Sequence, residues 1–279
     1  MKHVLLLGNQ AAAGLLPFTD DFTRADGDVA NGWDYAAGVW TISSNALTSN
    51  PTVGSEIAVN GDMETGDPPT GYNAVSGATL SSQADERTGG AGAACLQIAR
   101  GTSNAAASKS NTITAKQFYR VGVWGKRGTG TKVAIQGGWV WKASESENWT
   151  FLPGFGYDND TTWSTIFNSY GSAGQTTRYD DLSIKMATRA DLFMTRDVGS
   201  ANVRVGVKVS NVLYYPCGIV LCADDATNPQ NFILAIVEPY DNSAGLRHYV
   251  DVYKFVNGTM STVVSVSYTH LRAHETGRN

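Results

Sequence analysis

The chain has 279 residues, a net charge of −4, 30 Gly, 8 Pro and only 16% charged residues. That length accommodates one large or two ordinary domains. No basic stripe is present, which speaks against nucleic acid as a partner because phosphate binding needs clustered Lys and Arg, and no apolar run approaches a membrane span. Short apolar runs broken by Gly, Asn, Asp and Ser fill most of the length, and no window sustains a 3.6-residue apolar period. This pattern predicts an all-β protein with very little helix.

In chain order, residues 1–17 read as an N-terminal arm, since Gly8-Asn9-Gln10 cuts the first apolar run too early for a signal peptide. Trp40 and Ile42 alternate with Val39 and Thr41 as a half-buried strand does, and Trp33 and Trp40 are expected in a core. The pattern breaks after Glu56–Val59. Asn60-Gly61-Asp62-Met63-Glu64 and Tyr179–Ile184 then read as the first and last strands of one compact module. Inside it Trp124 is embedded in an apolar strand and is expected in the core. Beyond Met186, residues 202–209 alternate, 218–222 are continuously apolar, and Asp224–Pro229 form a turn. Phe232–Val237 and Tyr249–Val256 are strands, and Asn257-Gly258 signals a hairpin into Val263-Val264.

The opening at 20–48 holds too few strands to close a sandwich and would leave long unpaired edges. Its partners are expected in 188–265. The resulting expectation is nested: two β-sandwich (jelly-roll) domains, residues 58–187 inserted into a discontinuous one at 18–57 plus 188–265.

The Asp-x-Phe-x-Arg-Ala-Asp-Gly run at 20–27, Gly32-Trp33 and Gly38–Ile42, with Gly218–Val237 and Val252–Gly258 downstream, resemble concanavalin-A-like and laminin-G-like jelly rolls. Asn60–Glu64, Cys95–Ile98, Phe118–Lys126 with Lys132–Ile135, and Tyr179–Ile184 resemble, in order, strand motifs of the carbohydrate-binding modules attached to xylanases and glucanases. That second resemblance implies sugar-binding aromatics on a concave face or edge loops. It also implies a structural Ca²⁺ between Glu64 and Asp181, with backbone carbonyls completing the oxygen shell. Val266–Thr276 resembles a translated sequencing-library adapter, which makes 266–279 a non-native tail and removes His270 and His274 from consideration.

Catalytic constellations are scarce. The Glu-x-Asp-x-x-Glu spacing of glucan-cutting jelly rolls does not occur, and a nucleophilic triad finds only His3 and His248 outside the tail. No phosphate loop or His/Cys metal spacing occurs, so no enzyme is expected. Flat pyranose faces stack on Trp and Tyr at low entropy cost. The segment 139–163 concentrates such residues, and Trp139 and Trp141, two apart, are expected on one strand face. Trp141, Trp149 and Trp163, with Tyr72 on a loop, are the candidate ligand aromatics. The expected partner is a polysaccharide or cell-surface glycan, and the location extracellular or virion-associated. The alternative is a phage tail or decoration protein that self-associates through its jelly rolls. Cys95, Cys217 and Cys222 read as small buried residues rather than a disulfide.

Overall fold

A computed structural model describes residues 20–268 except 21, 24, 29–32, 34, 37–39, 45, 50, 85–86, 91, 102–104, 196–204, 206–215, 226–227 and 243–244. The N-terminal arm, nearly all of the alternating stretch at 202–209 and the tail beyond Tyr268 lie outside the described residues. The strands are β1 (Gly27–Asp28), β2 (Tyr35–Ala36), β3 (Trp40–Ser43), β4 (Ala46–Ser49), β5 (Val53–Glu56), β6 (Tyr72–Val75), β7 (Ala78–Ala84), β8 (Ala94–Arg100), β9 (Ala106–Thr112) and β10 (Gln117–Lys126). They continue with β11 (Lys132–Gly137), β12 (Val140–Ser144), β13 (Thr150–Asp158), β14 (Thr162–Tyr170) and β15 (Thr176–Ala187). After a single 3₁₀ turn at Arg189–Leu192 come β16 (Met194–Thr195), β17 (Cys217–Leu221), β18 (Phe232–Asn242), β19 (Gly245–Val256) and β20 (Thr259–Tyr268). The expectation of an all-β chain holds.

Two sheets dominate. The first runs β13-β10-β15-β8-β7, with β5 beside β15. The second runs β20-β19-β18-β12-β11-β14-β9-β6, with β17 beside β18. Alternation along each strand sends one set of side chains between the sheets. Tyr119, Val121 and Val123 of β10, Leu152 of β13 and Tyr179, Leu182 and Ile184 of β15 meet Val133, Ile135, Trp163 and Phe167 there, all buried. The Tyr179 hydroxyl sits wholly inside and satisfies itself on the opposite sheet, accepting from Ala134 N at 2.9 Å and donating to Asn168 O at 2.5 Å. Burial holds that phenol well above its ordinary pKa.

Asn60–Glu64 is not a strand, and the first-strand expectation is corrected. Asn60 and Met63 have positive φ, 51° and 60°, and the Asn60 amide bonds Thr65 on both its oxygen and its nitrogen. This is Asx-type turn chemistry. The turn nevertheless abuts the closing strand as the motif pairing suggested. Leu182 N donates to Gly61 O at 2.8 Å, and a Cβ on Gly61 would lie 2.2 Å from the Leu182 carbonyl oxygen, so only glycine fits.

Thr52, before β5, and residues 188–191, after β15, are neighbours. Thr188 N donates to Thr52 O at 2.9 Å and Thr52 N to Asp191 Oδ2 at 2.9 Å. Apart from the two large sheets, β16 pairs with β2 and β1-β3-β4 form a small sheet. Trp40 is 2% exposed, as expected. Trp33 is half-buried, with its indole N–H donated to Asp20 at 2.8 Å. Asn257 and Gly258, at φ 48° and 73°, turn β19 into β20 as the sequence predicted. The three cysteines are free, with Cys95 and Cys217 buried and Cys222 exposed, so the expectation of burial fails at Cys222 alone.

A second core forms where β17–β19 pack on the outer face of β10 and β13. Phe118, Tyr157, Phe193, Val220, Phe232, Leu234, Ile236, Tyr253 and Phe255 are buried in it, with Trp139 and Phe155 packed alongside. Its border is stitched by Asn159, whose amide exchanges two hydrogen bonds of 2.8 Å with the Met260 backbone.

At one end of this core Glu238 and Asp251, 9% and 7% exposed, share the Tyr253 hydroxyl at 2.9 and 3.1 Å. Burial, then the Asp251 charge, pushes the Glu238 carboxyl from its ordinary 4.5 up to about 8. A carboxyl whose folded pKa is raised stabilises the fold most at low pH, and that contribution is lost as pH climbs through the raised value. The urea midpoint should therefore fall between about pH 5 and pH 8, and Glu238→Gln should flatten that slope and exceed the parent in stability at pH 9 by about 2 kcal/mol. A midpoint that rises over this range, or a slope that Glu238→Gln leaves intact, contradicts the assignment.

Candidate glycan-binding face

The outer face of the first sheet divides in two. At one end Phe118, Phe155 and Tyr157 are covered by the second core. At the other end the same strands carry aromatics into solvent. Alternation along β13 puts Leu152 in the core and leaves Phe151 42% exposed. Trp124 of β10 stands directly opposite Phe151 in the ladder, and the rings are tilted at 55° with centroids 5.5 Å apart. The Phe151 ring lies over Gly122, where an added Cβ would sit 2.4 Å from its Cζ. Glycine at this position lets an aromatic ring lie down on the sheet. Trp149, one ladder step before Thr150, is half-buried with Lys126 Nζ 4.8 Å above its ring.

Polar groups border these rings. Arg178 of β15 stands opposite both Lys126 and Gln97 and donates to Gln97 Oε1 at 3.4 Å. Gln97 in turn stands opposite Ser81 of β7. Behind Trp124, Arg87 stacks on its indole at 5.0 Å. Arg87 bonds Asp180 Oδ2 through Nε at 3.2 Å and Asp181 Oδ2 through Nη2. Its side chain is 8% exposed and that of Asp180 fully buried, so Arg87 braces one side of Trp124 while Phe151 flanks the other.

The candidate aromatics are only partly brought together. Trp149 lies on this face beside Trp124 and Phe151. Trp163 is 1% exposed and fills the main core against Tyr119, with centroids 5.5 Å apart. Tyr72, 6% exposed, packs on Phe167 and donates its hydroxyl to Asn60 O at 3.2 Å. Neither presents a ring to a ligand, and both expectations are corrected: each side chain points between the sheets. Trp141 is half-buried on β12, opposite Gln136 and beside Tyr240. It belongs to the second sheet, whereas Trp149 precedes β13 of the first. Trp139 occupies the turn before β12, so strand alternation does not align it with Trp141. It stacks on Tyr253 at 5.3 Å instead.

Two residues were missed. The sequence reads Trp124 as core because it is embedded in the apolar run Val121–Trp124. Half of that outer face is indeed covered, by β17–β19. Phe151 was noted only as one aromatic among many. The Gly122 and Phe151 positions meet only through the β10–β13 register, which sequence spacing does not show.

Each expected calcium ligand is engaged with other partners through one carboxylate oxygen. Glu64 Oε1 accepts from the Ala93 and Ala94 amides at 2.8 and 2.7 Å. Asp181 faces the Arg87 guanidinium. Among the described residues no three His, Cys, Asp or Glu form a group able to hold a metal ion. Among them, too, no helix is long and apolar enough to cross a membrane.

No family model matches the sequence and no curated protein does. Solved structures similar to part of the chain include the "CBM22-1 xylan-binding domain from Paenibacillus barcinonensis Xyn10C", at 16% identity and TM-score 0.37, covering 50% of this chain and 97% of that one. Another is "TmCBM61 in complex with beta-1,4-galactotriose", at 17% identity and TM-score 0.37, covering 47% and 98%. A third is the enzymatically active domain of Bacteriophage CBA120 tailspike protein 4, at 11% identity and TM-score 0.37. The match covers 47% of this chain and 21% of that tailspike chain. These neighbours are carbohydrate-binding modules of β-sandwich fold and a tailspike.

Proposed function

We propose that this protein is a non-catalytic glycan-binding protein whose ligand lies across the exposed end of the first sheet, on Phe151, Trp124 and Trp149. The observation that carries the reading is the pair of partly exposed rings at Phe151 and Trp124, with Arg178, Gln97 and Ser81 in the adjoining strands to meet hydroxyls. Rigid aromatics bordered by a few polar groups are what a sugar chain requires. In this reading residues 58–187 form a sandwich inserted into a jelly roll of 18–57 plus 188–265, and the protein acts outside the cell or on a virion. Catalysis is disfavoured by accessibility. The close carboxylate pair Glu238 and Asp251 is under a tenth exposed, whereas glycosidases need carboxylates flanking an open bond.

Affinity electrophoresis of the full chain through a panel of neutral and acidic polysaccharides tests the reading. Retardation by at least one polymer is expected, with Phe151→Ala or Trp124→Ala weakening it about tenfold or more. A folded protein that no polymer retards, or retardation unchanged in both variants, contradicts it.

A further inference from the structure

The charges flanking the aromatic patch repeat an unfavourable arrangement. In the β10–β15 ladder Arg120 stands directly opposite Lys185, and Lys126 directly opposite Arg178. Like charges in direct opposition destabilise a sheet. The two pairs lie on the outer face at either end of a span of about 20 Å along the strand, with Gly122, Phe151 and Trp124 between them. The chain as a whole is acidic, at −4, so this strip runs against the protein's balance.

The carboxylates close by are already engaged. Asp180 and Asp181 face Arg87. Glu56 accepts from Ser183 Oγ and Ile184 N, both at 2.6 Å, and reaches Lys185 only at 4.0 Å, with both side chains about 40% exposed. That surface pair neutralises little. Arg120 and Arg178 make no ion pair among the described residues.

Resting on the glycan reading above, we propose that the ligand is an acidic polysaccharide built of uronate sugars, with rings stacked on Phe151 and Trp124 and carboxylates held by Arg120, Arg178, Lys126 and Lys185. A uronate fits because its carboxylate is bonded directly to the ring. When the ring lies flat on Phe151 the anion points along the sheet toward these side chains. The planar Arg fork matches a carboxylate with two parallel donors. Opposed cations that cost stability in the free protein become complementary once anions lie between them.

The test uses the full chain with polygalacturonate, the same polymer methyl-esterified, neutral xylan and dextran sulfate, each at low and high salt. Polygalacturonate should bind, and affinity should fall about tenfold or more between 50 and 500 mM NaCl as the charges are screened. Esterification, which keeps the sugar backbone and removes the charge, should cost about as much. Arg120→Gln and Arg178→Gln should each weaken binding, flatten the salt dependence and leave Tm unchanged or raised, because each relieves a like-charge opposition.

Equal, salt-insensitive binding of the esterified polymer or xylan overturns the uronate assignment and leaves glycan binding standing. Binding of polygalacturonate and dextran sulfate alike, undiminished in Phe151→Ala, reduces the strip to general anion attraction and overturns it too. No binding to any polymer overturns both this inference and the reading on which it rests.

Discussion

Phe118→Ala is expected to cost about 3–5 kcal/mol and to weaken the whole β-structure rather than one part. The side chain is 3% exposed and stands where the first sheet packs against β17–β19. Its ring meets Trp139 at 6.0 Å, Phe155 at 5.9 Å, Tyr157 at 4.8 Å, Phe193 at 6.1 Å and Phe255 at 6.3 Å. The Arg189 guanidinium lies 5.5 Å from it and donates to the Pro229 and Lys116 carbonyls, at 2.8 and 2.5 Å. Truncation removes the transfer energy of the ring and leaves a cavity that flat strands collapse into poorly. The second core holds β10 and β13 against β17–β19, so the unfolding traces from tryptophan fluorescence and far-ultraviolet circular dichroism should coincide and shift together in urea. Two separated transitions, only one of them moved by the substitution, would show that the units are stabilised independently.

Arg87→Met should cost about 3 kcal/mol, for a different reason. Asp180 is completely buried and bonded to Arg87 Nε, and Met keeps much of the side-chain volume over Trp124 while removing the charge. Stripping a buried carboxylate of its guanidinium is more damaging than removing an exposed pair of the same length, since water cannot replace it. The same contact bears on calcium. With Arg87 supplying the positive charge at the closing strand, a chelator should leave the Tm of the parent protein unmoved, and added Ca²⁺ should not rescue Arg87→Met. A Tm that drops in chelator and recovers with Ca²⁺ would restore the oxygen-cage account of Glu64 and Asp181.

Alternation and turn chemistry made much of the fold legible. Phe118–Lys126, Cys95–Ile98 and Tyr179–Ile184 are strands where the motifs placed them, and Asn257-Gly258 is a hairpin because both residues tolerate positive φ. Asn60–Glu64 reads as a strand only through its resemblance to a module-opening motif, whereas the Asn60 side chain uses its hydrogen bonds to close a turn. The candidate site was legible at Trp149 alone. Trp163 and Tyr72 lie in alternating stretches whose inward parity only the sheet pairing decides. Trp124 reads as core because the run Val121–Trp124 is apolar, and only the Phe118 end of that outer face is covered by a distant part of the chain. The cationic strip is silent in sequence because its four members come from two strands whose residues lie about 60 positions apart and meet only through register.

Nuclear magnetic resonance of the ¹⁵N-labelled chain offers the most direct test of the binding face, since each of the 7 Trp reports through one indole N–H. The chain would be titrated with galacturonate and xylose oligosaccharides, and the signals assigned by single Trp→Phe variants. Saturable shifts at the Trp124 and Trp149 indoles, with those of Trp40 and Trp163 unmoved, are the predicted result. Shifts confined to Trp141 or Trp33, or none with either sugar series, would contradict a glycan site on the first sheet.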